Sequence, residues 1–337
     1  MSSNESVRFS SPLRERRASI RLVSAHAERV CMRRLAHKKL LLLMPLLLAV
    51  LGGCSLQRLA VHKLGDAIAQ SGASYASDDD LELIGAAAPF SLKLMESLLA
   101  ETPAHRGLLL ATTQGFVQFA YAFVELKADE VEDTSLEAAY AQRARAARMY
   151  LRARDYGLRG LESAYPGVGK ALRTDPAAAL AKTARDDVGL LYWTAVAWAA
   201  AISLAKDDPF LIADLPVVEA LVRRAVALDE TYDSGALHVF MINYEMSRAG
   251  VIADAPARAR RHFARAVELT RGAQAAPYVT LAEAVSIAER NRAEFESLLQ
   301  GALKLDTAAA PQWRLVNIVM QRRARWLLGR TDKLFAD

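Results

Sequence analysis

The sequence predicts an all-α protein in which antiparallel helix pairs, read as degenerate tetratricopeptide-like repeats, pack around one central apolar helix. From about residue 80 apolar residues step by three and four nearly to the end, and no segment keeps the period of two that a strand would need. Ala and Leu dominate a composition that is 53% hydrophobic and 24% charged, which favours packed helices over disorder. In the second half, one short pattern recurs at helix ends with the spacing of stacked helix pairs.

Residues 1–53 read as targeting sequence and are set apart from the fold. Met32-Arg33-Arg34 and Lys38-Lys39 supply a basic start, Leu40 to Leu51 is an apolar run interrupted only by Pro45, and Gly52-Gly53-Cys54 follows. The run is too short for a stable membrane-spanning helix and ends in small residues, as a removable signal peptide does. Leu51-Gly52-Gly53-Cys54 resembles a lipobox, in which the small residues fit the peptidase and the thiol accepts the lipid. The expectation is a signal peptide over 32–53, cleavage before Cys54, and acylation that ties the protein to a lipid bilayer. Residues 1–31, rich in Arg and Ser, have no place in such a signal and read as a misassigned extension, with Met32 the true start. Ser55, rather than Asp, follows the cysteine, which favours the periplasmic side of the outer membrane over the inner membrane.

Charge is interpreted only after it is located. Residues 1–53 hold ten Lys/Arg against three acids, a net of +7 in a chain whose total is +5, so the remainder carries −2. The pI of 9.2 therefore belongs to the leader, and with it goes any global footprint for nucleic acid. The two cysteines are Cys31 and Cys54, the first upstream of the apolar run, so no disulfide framework is expected.

In the mature part, Gly65, Gly72 and several serines mark 54–79 as a lipidated tether. Asp78-Asp79-Asp80 mark a helix start, which sets the helical domain at 80–337. Phe116, Phe119, Phe123 and Leu126 predict a helix over about 104–127, and Leu136, Tyr140, Ala147, Leu151, Leu158 and Leu161 one over 135–164. The helix predicted near 187–205 has almost no polar face, so it should be enclosed and central. Trp193 and Trp198 lie five apart on it, about 140° round the helix, so one is expected in the core and the other against a cavity. Further helices are predicted near 215–229, 234–248, 256–270, 277–290, 292–305 and 311–328, joined by short Pro- and Gly-marked links that make neighbours antiparallel. Ala225-Val226-Ala227-Leu228-Asp229, Ala266-Val267-Glu268-Leu269-Thr270 and Ala302-Leu303-Lys304-Leu305-Asp306 share one pattern, each closing a helix where a small Ala permits close packing.

No Gly-x-Ser-x-Gly, phosphate loop, dinucleotide loop or His-x-x-x-His motif occurs in the mature chain, and His62, His105, His238 and His262 read as scattered singly. The expectation is no catalytic residue, no metal and no cofactor. Three constellations are candidates for binding. Tyr192, Trp193 and Trp198 with Phe116, Phe119 and Tyr121 are candidates for the wall of an apolar ligand tunnel, the alternative being plain core. Arg145, Arg148, Arg152 and Arg159 form a stripe suited to an acidic partner, the alternative being a solvated face. Arg322, Arg323 and Arg325 beside Trp326 suit a partner, or a helix C-terminus whose dipole favours cations.

Leu190-Leu191-Tyr192-Trp193, Ala197-Trp198-Ala199-Ala200, Asp207-Asp208 and Ala213-Asp214-Leu215-Pro216 resemble the T-component family of tripartite ATP-independent periplasmic (TRAP) transporters. Arg143-Ala144-Arg145, Tyr150 to Tyr156, Phe295 with Leu298-Leu299, and Arg323-Ala324 through Leu334-Phe335 are similar to further blocks of that family in its order, so the resemblance spans about residues 75–336. It implies a lipoprotein that works with a periplasmic solute-binding P-component, forms a homo-oligomer and holds an apolar or amphipathic ligand in a tunnel through each subunit. The alternative function is a structural or assembly scaffold of the cell envelope with no small ligand.

Overall fold

The computed structural model describes residues 60–70, 72–248 and 254–336; the signal peptide and Cys54 lie outside the described residues. Among the described residues every regular element is a helix. The stretch expected to be a tether is corrected first: residues 60–70 form helix α1, the short helix Gly72–Ala76 follows, and Val61 and Ile68 pack on the main core. Val61, Leu64 and Ile68 keep the step of three and four that the glycines and serines obscured. Gly65 marks a close crossing rather than a linker, since a Cβ there would stand 3.1 Å from the His105 ring.

Asp80 accepts the Leu83 amide at 2.9 Å and opens α2, Leu81–Glu101. His105 caps α3, Arg106–Val131, through Nδ1, which accepts the Leu108 amide at 3.1 Å. Ser135 caps α4, Leu136–Glu162, by accepting the Ala138 amide at 3.2 Å. Then come α5, Val188–Leu204, and α6, Leu215–Asp229. The second half holds α7, Ala236–Ser247; α8, Ala255–Thr270; α9, Ala276–Leu281; α10, Arg292–Leu303; and α11, Arg314–Leu328.

Helix α5 lies at the centre of the larger core and packs on α3, α4 and α6. The closest approach is to α4, where a Cβ on Gly157 would fall 2.1 Å from the Thr194 hydroxyl, so only glycine allows the two helices to meet. The recurring alanines do what the repeat pattern required: Ala225, Ala266 and Ala302 are each 0% exposed. Ala266 meets Gly235, which has φ +98° and where a Cβ would come 3.3 Å from the Ala266 Cα. A second, smaller core gathers Phe295, Leu299, Met320 and Leu327 of α10 and α11. This half is tied to the end of α3 by ion pairs. Arg322 reaches Glu130 at 2.7 Å, Arg323 reaches Asp129 at 2.9 Å, and Arg330 and Lys333 reach Asp133 at 2.5 and 2.6 Å. Arg322 and Arg323, considered for a partner, are therefore engaged within the chain, while Arg325 is exposed.

Candidate functional site

Two departures from α-helical hydrogen bonding face each other where the two halves meet. In α3 the segment Ala120–Glu125 is a π turn, with the Leu126 N–H donating to the Tyr121 carbonyl five residues back. After α9 the segment Ala282–Ser286 is another, with the Ile287 N–H donating to the Ala282 carbonyl at 3.3 Å. Such turns are rare and concentrate at functional sites, because the extra residue re-aims the side chains that follow. Nothing in the residue types of either segment explains locally why the turn forms there.

Between them lies a cavity of about 260 Å³, walled by Tyr121, Glu125 and Asp129 of α3, Asn243 of α7, Thr280 of α9, Glu283 of the second π turn and Arg323 of α11. Arg323 organises the wall. Its Nε and Nη2 donate to Glu283 at 3.0 and 2.7 Å and its Nη1 to Asp129 at 2.9 Å, while its Cζ stands 4.3 Å from the centre of the Trp326 ring. Asp129 also accepts from Arg143 at 2.9 Å. Glu125 accepts from the Tyr150 hydroxyl, and the Tyr121 hydroxyl donates to the Met320 sulfur at 3.8 Å.

Electrostatics follow from placing these groups inside protein. Burial pushes the Glu125 carboxyl above its usual range, against the Tyr150 hydrogen bond that favours its anion. Burial also raises Glu283, with the Arg323 charge opposing, and raises the Tyr121 phenol. Burial alone would lower Arg323, but Glu283 and its hydrogen bond hold the guanidinium charged.

Of the six aromatic candidates, Tyr121 lines this cavity. The other five are buried in the larger core: Phe116 beside Tyr156 at 6.1 Å, Phe119 beside Phe123 at 5.2 Å, and Tyr192 beside Trp193 at 5.0 Å. Trp198 lies under the Arg154 guanidinium at 5.1 Å. Trp193 and Trp198 are 8% and 2% exposed, so the expected contrast between a core and a cavity-facing tryptophan gives way to two buried rings. Their 140° separation places them against different neighbours, and α5 is enclosed on both sides. The basic stripe divides in two. Arg152 pairs with Glu96, and Arg159 donates to the Pro103 carbonyl at 3.1 Å; Arg145 and Arg148 are exposed and have no partner among the described residues.

The histidines, expected to be scattered, form two pairs. His238 and His262 approach Nδ1 to Nδ1 at 2.9 Å, which requires one ring to donate and the other to accept; burial lowers the pKa of each. His62, Asp66 and His105 bring three ligand atoms within 4.8 Å of one another, a spacing a metal ion would accept. The hydrogen bonds argue against it. His105 Nδ1 already accepts the Leu108 amide, so the neutral ring carries its proton on Nε2 and donates it toward Asp66 at 3.2 Å and the His62 carbonyl at 3.3 Å. A metal on Nε2 would displace that proton onto Nδ1, which could then no longer accept the Leu108 amide, and the helix cap would break.

Residues 77–335 match the family described as the TRAP transporter T-component. An uncharacterised protein of Treponema pallidum (strain Nichols) is 30% identical over 303 residues, covering 85% of this chain and 94% of that protein. Because the family match covers nearly all the described residues, the chain belongs to the TRAP transporter T-component family.

Proposed function

We propose that the chain is a lipid-anchored accessory lipoprotein of TRAP-type solute uptake, held through acylated Cys54 on the periplasmic side of the outer membrane, where it docks a solute-binding P-component. Membership makes it an accessory component associated with TRAP transporters, in a family that is not enzymatic. The observation that carries the reading is the family match over residues 77–335. Ligand holding is supported by the cavity between the π turns, whose polar wall replaces the apolar tunnel expected from the aromatics. Docking of an acidic surface is supported by Arg145 and Arg148, which lie three apart on α4. Association with further copies is supported by Leu83 and Phe90, seven apart on α2 and 56% and 74% exposed.

Co-purification with the solute-binding protein encoded beside it tests the reading. The mature protein should capture that partner, and Arg145→Glu with Arg148→Glu should weaken capture without lowering the melting temperature. No association at tens of micromolar, with both proteins folded, overturns it. Replacing Cys54 by Ser should remove the lipid mass and release the protein from the membrane fraction. Unchanged membrane retention, with no lipid on the unaltered protein, overturns the anchor.

A further inference from the structure

The cavity wall contains more hydrogen-bond acceptors than it satisfies. Arg323 directs three of its five N–H donors, through Nε, Nη1 and Nη2, at Glu283 and Asp129, so its charge is already paired. Glu125 keeps only the Tyr150 hydroxyl. The Thr280 hydroxyl, and the amide of Asn243 at the exposed edge of the cavity, have no hydrogen-bond partner among the described residues. Thr280 is 7% exposed. Thr112, Thr113 and Thr270, more deeply buried on their helices, return their hydroxyls to the carbonyl four residues back at 2.7, 2.8 and 2.8 Å; Thr280 makes no such bond, and neither does Thr194, which does not line the cavity. The Thr280 hydroxyl opens onto the cavity and is free to pair with whatever occupies it.

We propose that the cavity binds the ammonium head of a small amine, with Glu125, Thr280 and Asn243 as its acceptors. This rests on the ligand-holding part of the function proposed above. An ammonium carries three N–H donors and no acceptor, which matches three unfilled acceptors. The charge balance selects the same class: Glu125, Asp129 and Glu283 line the cavity against the guanidinium of Arg323, with Arg143 behind Asp129, so the excess of one carboxyl attracts a cation more than a carboxylate. The volume of about 260 Å³ has room for roughly eight or nine waters, and hence for a ligand of similar heavy-atom count. Burial, which raises Glu125, is offset when a cation arrives, so binding strengthens as rising pH ionises that carboxyl.

Calorimetric titration of the mature protein with pentylamine, pentanoate and pentanol tests the proposal. Pentylamine should bind saturably, pentanoate should not bind, and pentanol should bind more weakly than the amine. Glu125→Gln, which keeps the shape and removes the charge, should weaken amine binding about tenfold or more. Thr280→Val should weaken it by a smaller factor and leave the preference for amine over carboxylate. Failure of pentylamine to saturate the unaltered protein, equal binding of pentanoate, or unchanged affinity in Glu125→Gln overturns the proposal. Capture of the solute-binding protein by the same preparation separates the two readings. Capture without amine binding removes the amine and leaves the accessory role; amine binding without capture does the reverse.

Discussion

Helix α5 is interior and the pair of π turns is half-buried, and the two are built on opposite principles. Along α5 the side chains are apolar apart from Thr194 and Ser203 and the polar tips of the aromatic rings, the backbone hydrogen bonding is unbroken, and twelve residues from Val188 to Ile202 are buried. Around the cavity, helical hydrogen bonding is interrupted twice, and Glu125, Asp129, Glu283 and Arg323 stand where apolar residues would fit more cheaply. The first arrangement gains stability by removing apolar surface from water. The second gives some up, because carboxylates removed from water lose hydration that only a partner restores. Keeping charged groups and π turns at such a cost is what the proposed ligand site would require.

Four measurements sharpen or break that contrast. The largest effects belong to α5: Trp198→Ala and Trp193→Ala should each cost about 3–5 kcal/mol in denaturant unfolding, since both rings are buried and deep truncation leaves a cavity. A loss below about 1 kcal/mol for either would show that α5 is less tightly enclosed than its burial implies. Next comes the α4–α5 crossing, where Gly157→Ala should destabilise by about 1–3 kcal/mol, because the added methyl must displace Thr194 or part the helices.

At the cavity, Arg323→Met should cost about 1–3 kcal/mol near neutral pH, less than a fully buried pair would, because Asp129 keeps Arg143 and Glu283 is 27% exposed. The deficit should shrink in acid as Glu283 is protonated; a deficit independent of pH would mean that the arginine acts through packing on Trp326 rather than charge. The smallest effect is a slope. A carboxyl whose folded pKa is raised binds its proton more tightly in the native state, so its contribution is fully present below the unfolded value of 4.5 and is lost as pH rises through the folded one. Melting temperature measured against pH should therefore fall less steeply above 4.5 for Glu125→Gln than for the unaltered protein; identical profiles would place Glu125 in water.

Where the signal is local, the chain reads plainly. Helices α6 and α8 begin and end within a residue of the periodic reading because apolar spacing, Pro216, Pro256 and Gly272 act within a turn or two of the backbone they shape. The stretch 60–70 was obscured because Gly65 is both a flexible residue and the residue a close helix crossing needs, and only the neighbouring His105 ring decides between them. Tyr121 and Arg323 stood out by residue type, yet their meeting did not. The cavity draws on positions 121, 125, 129, 243, 280, 283 and 323, and no pattern of fixed spacing links them.

The sequence by itself determined the all-helical class, the central place of α5 and the small residues at helix crossings, because helical periodicity and side-chain volume are properties of neighbouring residues. The tertiary structure alone decided which arginines are occupied, that the histidines pair, and that two π turns flank a charged cavity. Those outcomes depend on which groups arrive from distant helices, and a titratable side chain has no fixed character until its partners and its distance from water are set.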